Sequence, residues 1–297
     1  MNRGILYAFF TYIFWGALPI YWKLLDHVPS IEIVSQRILW SFVFFSIIVS
    51  FSKGWKGLGG KIKDGGNRWL VFSPAVIIGG NWFLYIWAVT SGYIIETSLG
   101  YFISPLISVS LGVIFLKESL RKLQWIAVTV AFIGVLVMTI FYGQFPWISI
   151  LLASSWSLYG LLRKKSPLNS VEGLTLETGI LSIPVLFYII YLITSKTGTF
   201  GTELNTSLLL ACSGIMGGVP LLVFITAARM INLSLIGILQ YIYPSIIFFV
   251  GAFMYDEILT EAKIVGFIII WIALIIYTID GSFYFKRKRF AAAANKF

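Results

Sequence analysis

From Leu123 to Leu162 the chain carries no Asp, Glu, Lys, Arg or His. No other feature limits the fold as strongly, because so long a run cannot build a surface for water. A soluble domain has roughly a quarter of its residues charged. This chain of 297 residues has 11% charged and 59% hydrophobic, with a mean hydropathy of +0.91, so lipid is its main solvent. About 20 apolar residues cross the hydrocarbon core as a helix. The run is therefore twice what one crossing needs, and the turn-forming YGQFP at Tyr142 to Pro146 divides it in two.

The same criterion places ten spans, at 4–22, 31–52, 69–91, 96–116, 123–141, 146–162, 173–194, 207–229, 233–255 and 262–282. The basic start resembles a signal peptide. Gly4 to Trp22 is nevertheless long enough to span a bilayer, and no small-x-small site follows, so it reads as an uncleaved first helix. The loops are short and leave no room for a soluble domain. A single cysteine (Cys212) and a single histidine (His27) exclude a disulfide framework and a Cys/His zinc site. No cofactor and no metal are expected.

Orientation follows from lysine and arginine. With the N-terminus inside, 18 of the 22 basic residues fall in cytoplasmic segments, among them Lys117, Arg121, Arg163, Lys164, Lys165 and the tail. Only Lys23, Lys196 and Lys263 fall outside, and Arg37 lies within a span. The net charge of +10 is thus a topology signal and a contact for anionic lipid headgroups, not a nucleic-acid footprint.

Two stretches repeat one another. SLGYFISPLISVSLGVIFLKESL (Ser98 to Leu120) and GILQYIYPSIIFFVGAFMYDEIL (Gly237 to Leu259) each place a glutamate 13 residues after a mid-run proline, Pro105 to Glu118 and Pro244 to Glu257. At offsets of 138 to 141, Gly79-Gly80 matches Gly217-Gly218, Trp15 matches Trp156, and the S-I-E at Ser30 matches the S-V-E at Ser170. Each copy holds five spans. Because five is odd, the second copy enters the membrane from the opposite side, which is the inverted-repeat plan of many secondary transporters. The expected architecture is an all-α integral membrane protein of ten transmembrane helices. They form two inverted five-helix repeats, 1–142 and 143–285, followed by a basic cytoplasmic tail, 286–297.

Three segments carry a family resemblance: ETSLGYFISPLISVSLGVIFLKESLRKLQW from Glu96, WGALPIYWKLLDHVPSIEIVSQRILWS from Trp15, and LQYIYPSIIFFVGAFMYDE from Leu239. They resemble the EamA family of the drug/metabolite transporter superfamily, and within it the RarD-like branch of chloramphenicol-sensitivity proteins. The resemblance covers nearly the whole chain. It implies a multi-pass carrier of the plasma (bacterial inner) membrane, both termini cytoplasmic, exporting small metabolites or drugs. The second copy departs at one point: Thr260 stands where the first has Arg121.

An ionisable residue inside the membrane is a functional candidate by default. Arg37 lies about 9 Å down the second helix. It either binds substrate, snorkels outward, or pairs with Glu32, Asp26 or Glu96. Its repeat equivalent, Glu177, either couples transport to a proton or cation or is solvated beside Arg163, Lys164 and Lys165. The two are not expected to pair; an anion near the outer end and a proton or cation near the inner one would suit them. Asn81 and Tyr85 share one helix face, and Trp15, Trp156, Tyr101, Gln240 and Tyr243 join them as candidate substrate contacts. Pro105 and Pro244, as helix-interior prolines, would free the carbonyls of Tyr101 and Gln240, giving either a packing kink or a pathway wall. Gly79, Gly80, Gly217 and Gly218 allow close helix approach. Glu118 and Glu257 are expected to serve the helix that follows each of them, with Thr260 a cap after Glu257, and Asp280 to balance the basic tail.

The resulting reading is a secondary-active transporter of small amphipathic solutes, amino-acid-like or aromatic, and not an enzyme. A channel or a membrane-embedded enzyme or scaffold is the alternative. Catalysis would need a nucleophile with a base, a metal cluster or a carboxylate pair, for which one histidine and one cysteine are poor material. The chain has no phosphate-binding G-x-x-x-x-G-K-[ST] loop, so any drive comes from an ion or solute gradient.

Overall fold

In hydrocarbon a spanning backbone must satisfy its own hydrogen bonds, which leaves the helix as the economical form. The structure is a computed structural model in which residues 3–52, 54–64, 68–91, 93–254 and 261–294 are described. In chain order it contains α1 (Arg3–Trp22), a 3-10 turn (Lys23–Leu25), α2 (Ser30–Phe51), α3 (Trp55–Asp64), α4 (Arg68–Thr90), α5 (Ile94–Leu116) and α6 (Lys122–Tyr142). There follow α7 (Trp147–Lys165), α8 (Ser170–Ser195), α9 (Leu204–Met230), α10 (Leu233–Gln240), α11 (Ile242–Met254) and α12 (Glu261–Ala294). Among the described residues, eight helical segments are long and apolar enough to cross a membrane. Helix α7 falls short because its serines and its basic last turn lower its hydropathy.

The remaining apolar segment is broken. The expected ninth span, 233–255, is two helices separated at Tyr241. Pro244 is therefore not helix-interior as expected. It sits in the first turn of α11, where the missing N–H costs nothing, whereas Pro105 does lie inside a continuous α5. The stretch 52–68 is more than a loop, since α3 packs Leu58 beside Val71 and Leu168. Most of the tail continues α12 to Ala294.

The packing is pairwise. Helix α2 lies against α8 and α9, α1 against α9 and α11, α4 against α7 and α8, α5 against α7 and α10, and α6 against α12. Between lipid-solvated helices, association rests on close backbone approach rather than on the hydrophobic effect. At Gly214 of α9 an added Cβ would lie 2.5 Å from the Trp40 carbonyl carbon of α2. At Gly237 of α10 it would lie 2.7 Å from the Pro105 carbonyl oxygen of α5. Large side chains such as Trp69, Phe83, Phe141 and Phe187 are left on the outside, as a lipid-facing surface requires.

The two ends of the bundle are closed differently. At the basic end, Lys117 adopts φ +53° and ends α5. Glu118 then reaches the N-terminus of α10, accepting from Leu233 N at 2.7 Å, Ser234 N at 2.8 Å and Ser234 Oγ at 2.7 Å. This corrects the expectation that Glu118 serves the following helix. The start of α6 is satisfied by Gln124, whose Oε1 accepts from Arg121 N at 2.9 Å. Glu257 and Thr260 lie outside the described residues. Asp280 pairs with Arg121 at the start of α6, and the basic side chains of the tail that it was expected to balance lie outside the described residues. At the other end, Glu96 accepts from Ile148 N at the start of α7 and Glu32 accepts from Thr199 N and Phe200 N.

Removing the Glu118 carboxylate leaves three donors without their acceptor. Glu118→Ala is expected to cost about 2 kcal/mol, read as a drop of roughly 5 °C in the melting midpoint of purified protein. Glu118→Gln, which keeps an acceptor, should lose less than half of that. Equal midpoints for wild type and Glu118→Ala would remove the cap from the account of the broken span.

Candidate functional site

Where α1, α2, α4, α5, α7, α9 and α11 approach one another, aromatic side chains meet. Trp15 of α1 and Trp156 of α7 touch edge to face with centroids 5.4 Å apart. Phe224 of α9 lies 5.6 Å from the first and 5.2 Å from the second. Trp82 and Tyr243 are partly buried against the same cluster. Tyr243 continues the path, since its ring meets Tyr101 edge to face at 5.0 Å and Tyr101 lies 6.4 Å from Tyr85. The hydroxyls of Tyr85 and Tyr243 are close enough to interact with that of Tyr101. The structure thus brings together Trp15, Trp156, Tyr85, Tyr101 and Tyr243 from distant parts of the sequence.

Arg37 enters this centre from α2. Its guanidinium lies over the Trp82 ring, 4.6 Å from the centroid, a favourable arrangement for a cation. Tyr85 and Tyr101 are within electrostatic range of it. The stem of Arg37 packs on Gly217 of α9, where an added Cβ would lie 2.6 Å from its Cδ. Gly218 performs the same service for Phe45, and Gly79 of α4 admits Leu181 of α8, while Gly80 has nothing within 4 Å. Among the described residues no carboxylate lies within ion-pair distance of Arg37. The three partners considered from sequence are engaged elsewhere: Glu32 on the 199–200 backbone, Glu96 on the start of α7, Asp26 beside His27.

Two candidates are spent on helix contacts. The Asn81 amide donates to Leu152 O at 3.0 Å and to Ser155 Oγ at 2.8 Å, tying α4 to α7. Gln240, the last residue of α10, donates from Nε2 to Ser104 Oγ at 2.9 Å, and its Oε1 is buried without a partner. Ser104 belongs to a buried group with Ser108 and Ser157 that joins α5 to α7. Beside Pro105, the Phe102 carbonyl accepts from the Tyr241 hydroxyl at 3.2 Å.

Glu177 differs most from its bland expectation. It is 2% exposed, not solvated at an interface. Its Oε2 accepts from the Tyr159 hydroxyl at 2.8 Å, and its Oε1 lies 3.3 Å from Nε of Arg163, which is itself 0% exposed. The guanidinium also donates to Asn169 O at 3.0 Å and lies against Gly173, where a Cβ would approach to 2.0 Å of Nη1. Tyr159 is 5.9 Å from Trp156, so this buried pair adjoins the aromatic centre. As expected, Glu177 and Arg37 do not pair. Sequence reasoning set Arg163 beside Glu177 only as one of three solvating charges and missed that it alone is fully buried, because it stands in a basic triplet whose members look alike. Lys164 is partly buried near Glu118 and Lys165 is exposed. A buried charge without a partner is very costly, and nothing in a linear triplet tells which member is buried.

Such a centre can hold an amphipathic solute by aromatic contact and by a few polar groups, and among the described residues no metal-binding cluster accompanies it. The profile of the EamA-like transporter family matches residues 2–140. An uncharacterized transporter of Vibrio cholerae is 41% identical over 94% of this chain and 93% of its own. Transporter YojE of Bacillus subtilis, also uncharacterized, is 42% identical over 93% and 94%. Protein RarD of Escherichia coli is 39% identical over 96% and 97%. A solved crystal structure aligns over 93% of this chain and 96% of its own at 18% identity with a TM-score of 0.68, a likeness of fold alone. The relatives at about 40% identity span essentially the whole chain, and with the helical membrane architecture they make it a membrane transporter of the EamA-like family, in its RarD-like branch.

Proposed function

We propose that the protein is a secondary-active carrier exporting small amphipathic metabolites or drugs, amino-acid-like or aromatic, by alternating access around the aromatic centre. It would lie in a bacterial inner membrane with both termini cytoplasmic. Its ten helices would be two inverted repeats: α1, α2, α4, α5 and α6 in residues 1–142, then α7, α8, α9, the α10–α11 pair and α12 in residues 143–285. The observation that carries the reading is the pattern of the most extensive helix contacts, which survives exchange of the two sets. The contact of α2 with α9 is matched by α8 with α4, that of α1 with α9 by α7 with α4, and that of α5 with α7 by α11 with α1. The pairs α2–α8, α5–α10 and α6–α12 map onto themselves. Two supports are independent of that pattern: equivalent tryptophans, Trp15 and Trp156, touch at the centre, and the family profile ends at residue 140.

A pseudo-symmetric pair of helix sets can rock to expose one site to either side. The break at Tyr241 supplies a joint within the wall, and the Glu177–Arg163–Tyr159 group, beside Trp156, supplies a buried titratable site for coupling to a proton. The test is flux into proteoliposomes of a panel of amino acids and aromatic drugs, with and without a proton gradient. Saturable flux of one class supports the carrier; flux linear in concentration for every compound favours a channel. Trp156→Leu keeps apolar bulk while removing the ring that meets Trp15, Tyr159 and Phe224. It is expected to raise the half-saturating concentration about tenfold, the equivalent of one aromatic contact of about 1.4 kcal/mol, in protein that still elutes as one species.

A further inference from the structure

We infer that the carried solute bears an anionic group, of carboxylate type, and that Arg37 is the residue that holds it. The inference rests on the carrier reading and names the substrate class of the same centre. An arginine inside a membrane protein is costly unless its charge is met. Here no described carboxylate pairs with Arg37, and the three candidates considered from sequence are engaged at the bundle's end, so no internal anion neutralises the charge. Snorkelling does not account for the side chain either. It lies across Gly217 and over Trp82, and Tyr85 and Tyr101 of α4 and α5 lie within its electrostatic range. The ring lies beneath the guanidinium, and the absent side chain at Gly217 gives its stem a seat. The fork donors are thereby left for a planar acceptor, the geometry in which arginine recognises carboxylates. Tyrosine hydroxyls beside it can donate to the same anion, and the Tyr101–Tyr243 and Trp15–Trp156 rings offer apolar surface for the rest of the molecule. An isosteric neutral amide would leave the guanidinium unmatched in the closed site and be rejected for that reason.

The experiment compares 3-phenylpropanoate with 3-phenylpropanamide, which differ only in that group, on purified full-length protein. Binding is read as ligand-dependent stabilisation in detergent, and transport as flux in proteoliposomes. Wild type is expected to bind the carboxylate at least about tenfold more tightly than the amide. Arg37→Lys should retain the preference at reduced affinity. Arg37→Gln should abolish the preference while its ligand-free melting midpoint stays near that of wild type. Equal binding of the two compounds by wild type, no binding of the carboxylate, or a preference that survives in Arg37→Gln would each overturn the inference. Because binding is read apart from flux, the two readings fail separately. Carboxylate-selective binding without flux of any compound sinks the carrier and keeps the anion site; flux of both compounds alike does the reverse.

Discussion

Glu177→Ala is expected to destabilise the protein by about 3–5 kcal/mol, lowering the melting midpoint by roughly 10 °C and sharply reducing the yield of monodisperse material. The substitution leaves Arg163, 0% exposed, with its charge opposed only by backbone carbonyls. It also leaves the Tyr159 hydroxyl without its acceptor. The loss belongs mainly to the stranded guanidinium and not to the pair itself, since a buried ion pair spends most of its attraction on desolvation. The double change Arg163→Met with Glu177→Leu should therefore recover most of the stability lost in Glu177→Ala. That recovered protein then decides the functional question. If Glu177 couples transport to a proton, the double variant folds but its flux ignores the proton gradient; if gradient dependence persists, the pair is structural and coupling lies elsewhere. A double variant no more stable than Glu177→Ala would show that the site depends on polarity in a way the ion-pair argument does not capture.

Gly214→Val is expected to cost about 3 kcal/mol, the upper end for overpacking, because what stands in the way is backbone. The nearest atoms to an added Cβ are the Trp40 carbonyl carbon at 2.5 Å and the Ser41 nitrogen at 2.6 Å, and helix α2 cannot yield as a side-chain tip can. Separating α2 from α9 would also stretch the bond from Ser41 Oγ to Gly214 O, now 2.9 Å, and would lift Arg37 from its seat on Gly217 one turn along. The variant should thus lose binding at the centre as well as stability. Gly80→Ala is the matched control: nothing lies within 4 Å of that Cβ, and alanine's better helix propensity makes it neutral or stabilising by up to about 1 kcal/mol. Similar melting midpoints for the two variants would refute the close-packing account of the α2–α9 contact.

The same contrast marks how far the sequence could be read. The apolar runs announce helices because hydrocarbon permits little else, and the site candidates Trp15, Trp156, Tyr85, Tyr101 and Tyr243 do converge. Arg37 is legible as well, because a charge inside an apolar run is rare enough to stand out alone. Glu118 is legible only as a glutamate at a helix end. That it caps α10, 115 residues away, depends on which helix ends are neighbours, a fact absent from any local window. Asn81 has the composition of a binding residue and the position of a helix tie. Pro244 reads like Pro105 in sequence, yet one begins a helix and the other lies inside one, because the break at Tyr241 is fixed by the packing of α10 on α5 and of α11 on α1.

The sequence by itself determined the solvent and the helical class, since these follow from hydropathy summed over many residues. Tertiary structure alone decided which charges are met and which are left open. Arg163 and Arg37 are both arginines of apolar helices, and each lies on a glycine of a neighbouring helix. One has Glu177 at 3.3 Å; the other lies over an aromatic ring with no described carboxylate in ion-pair reach. That difference depends on electrostatic neighbours brought together over distances a linear sequence does not measure, and it is what separates a buried pair from a candidate site for a solute.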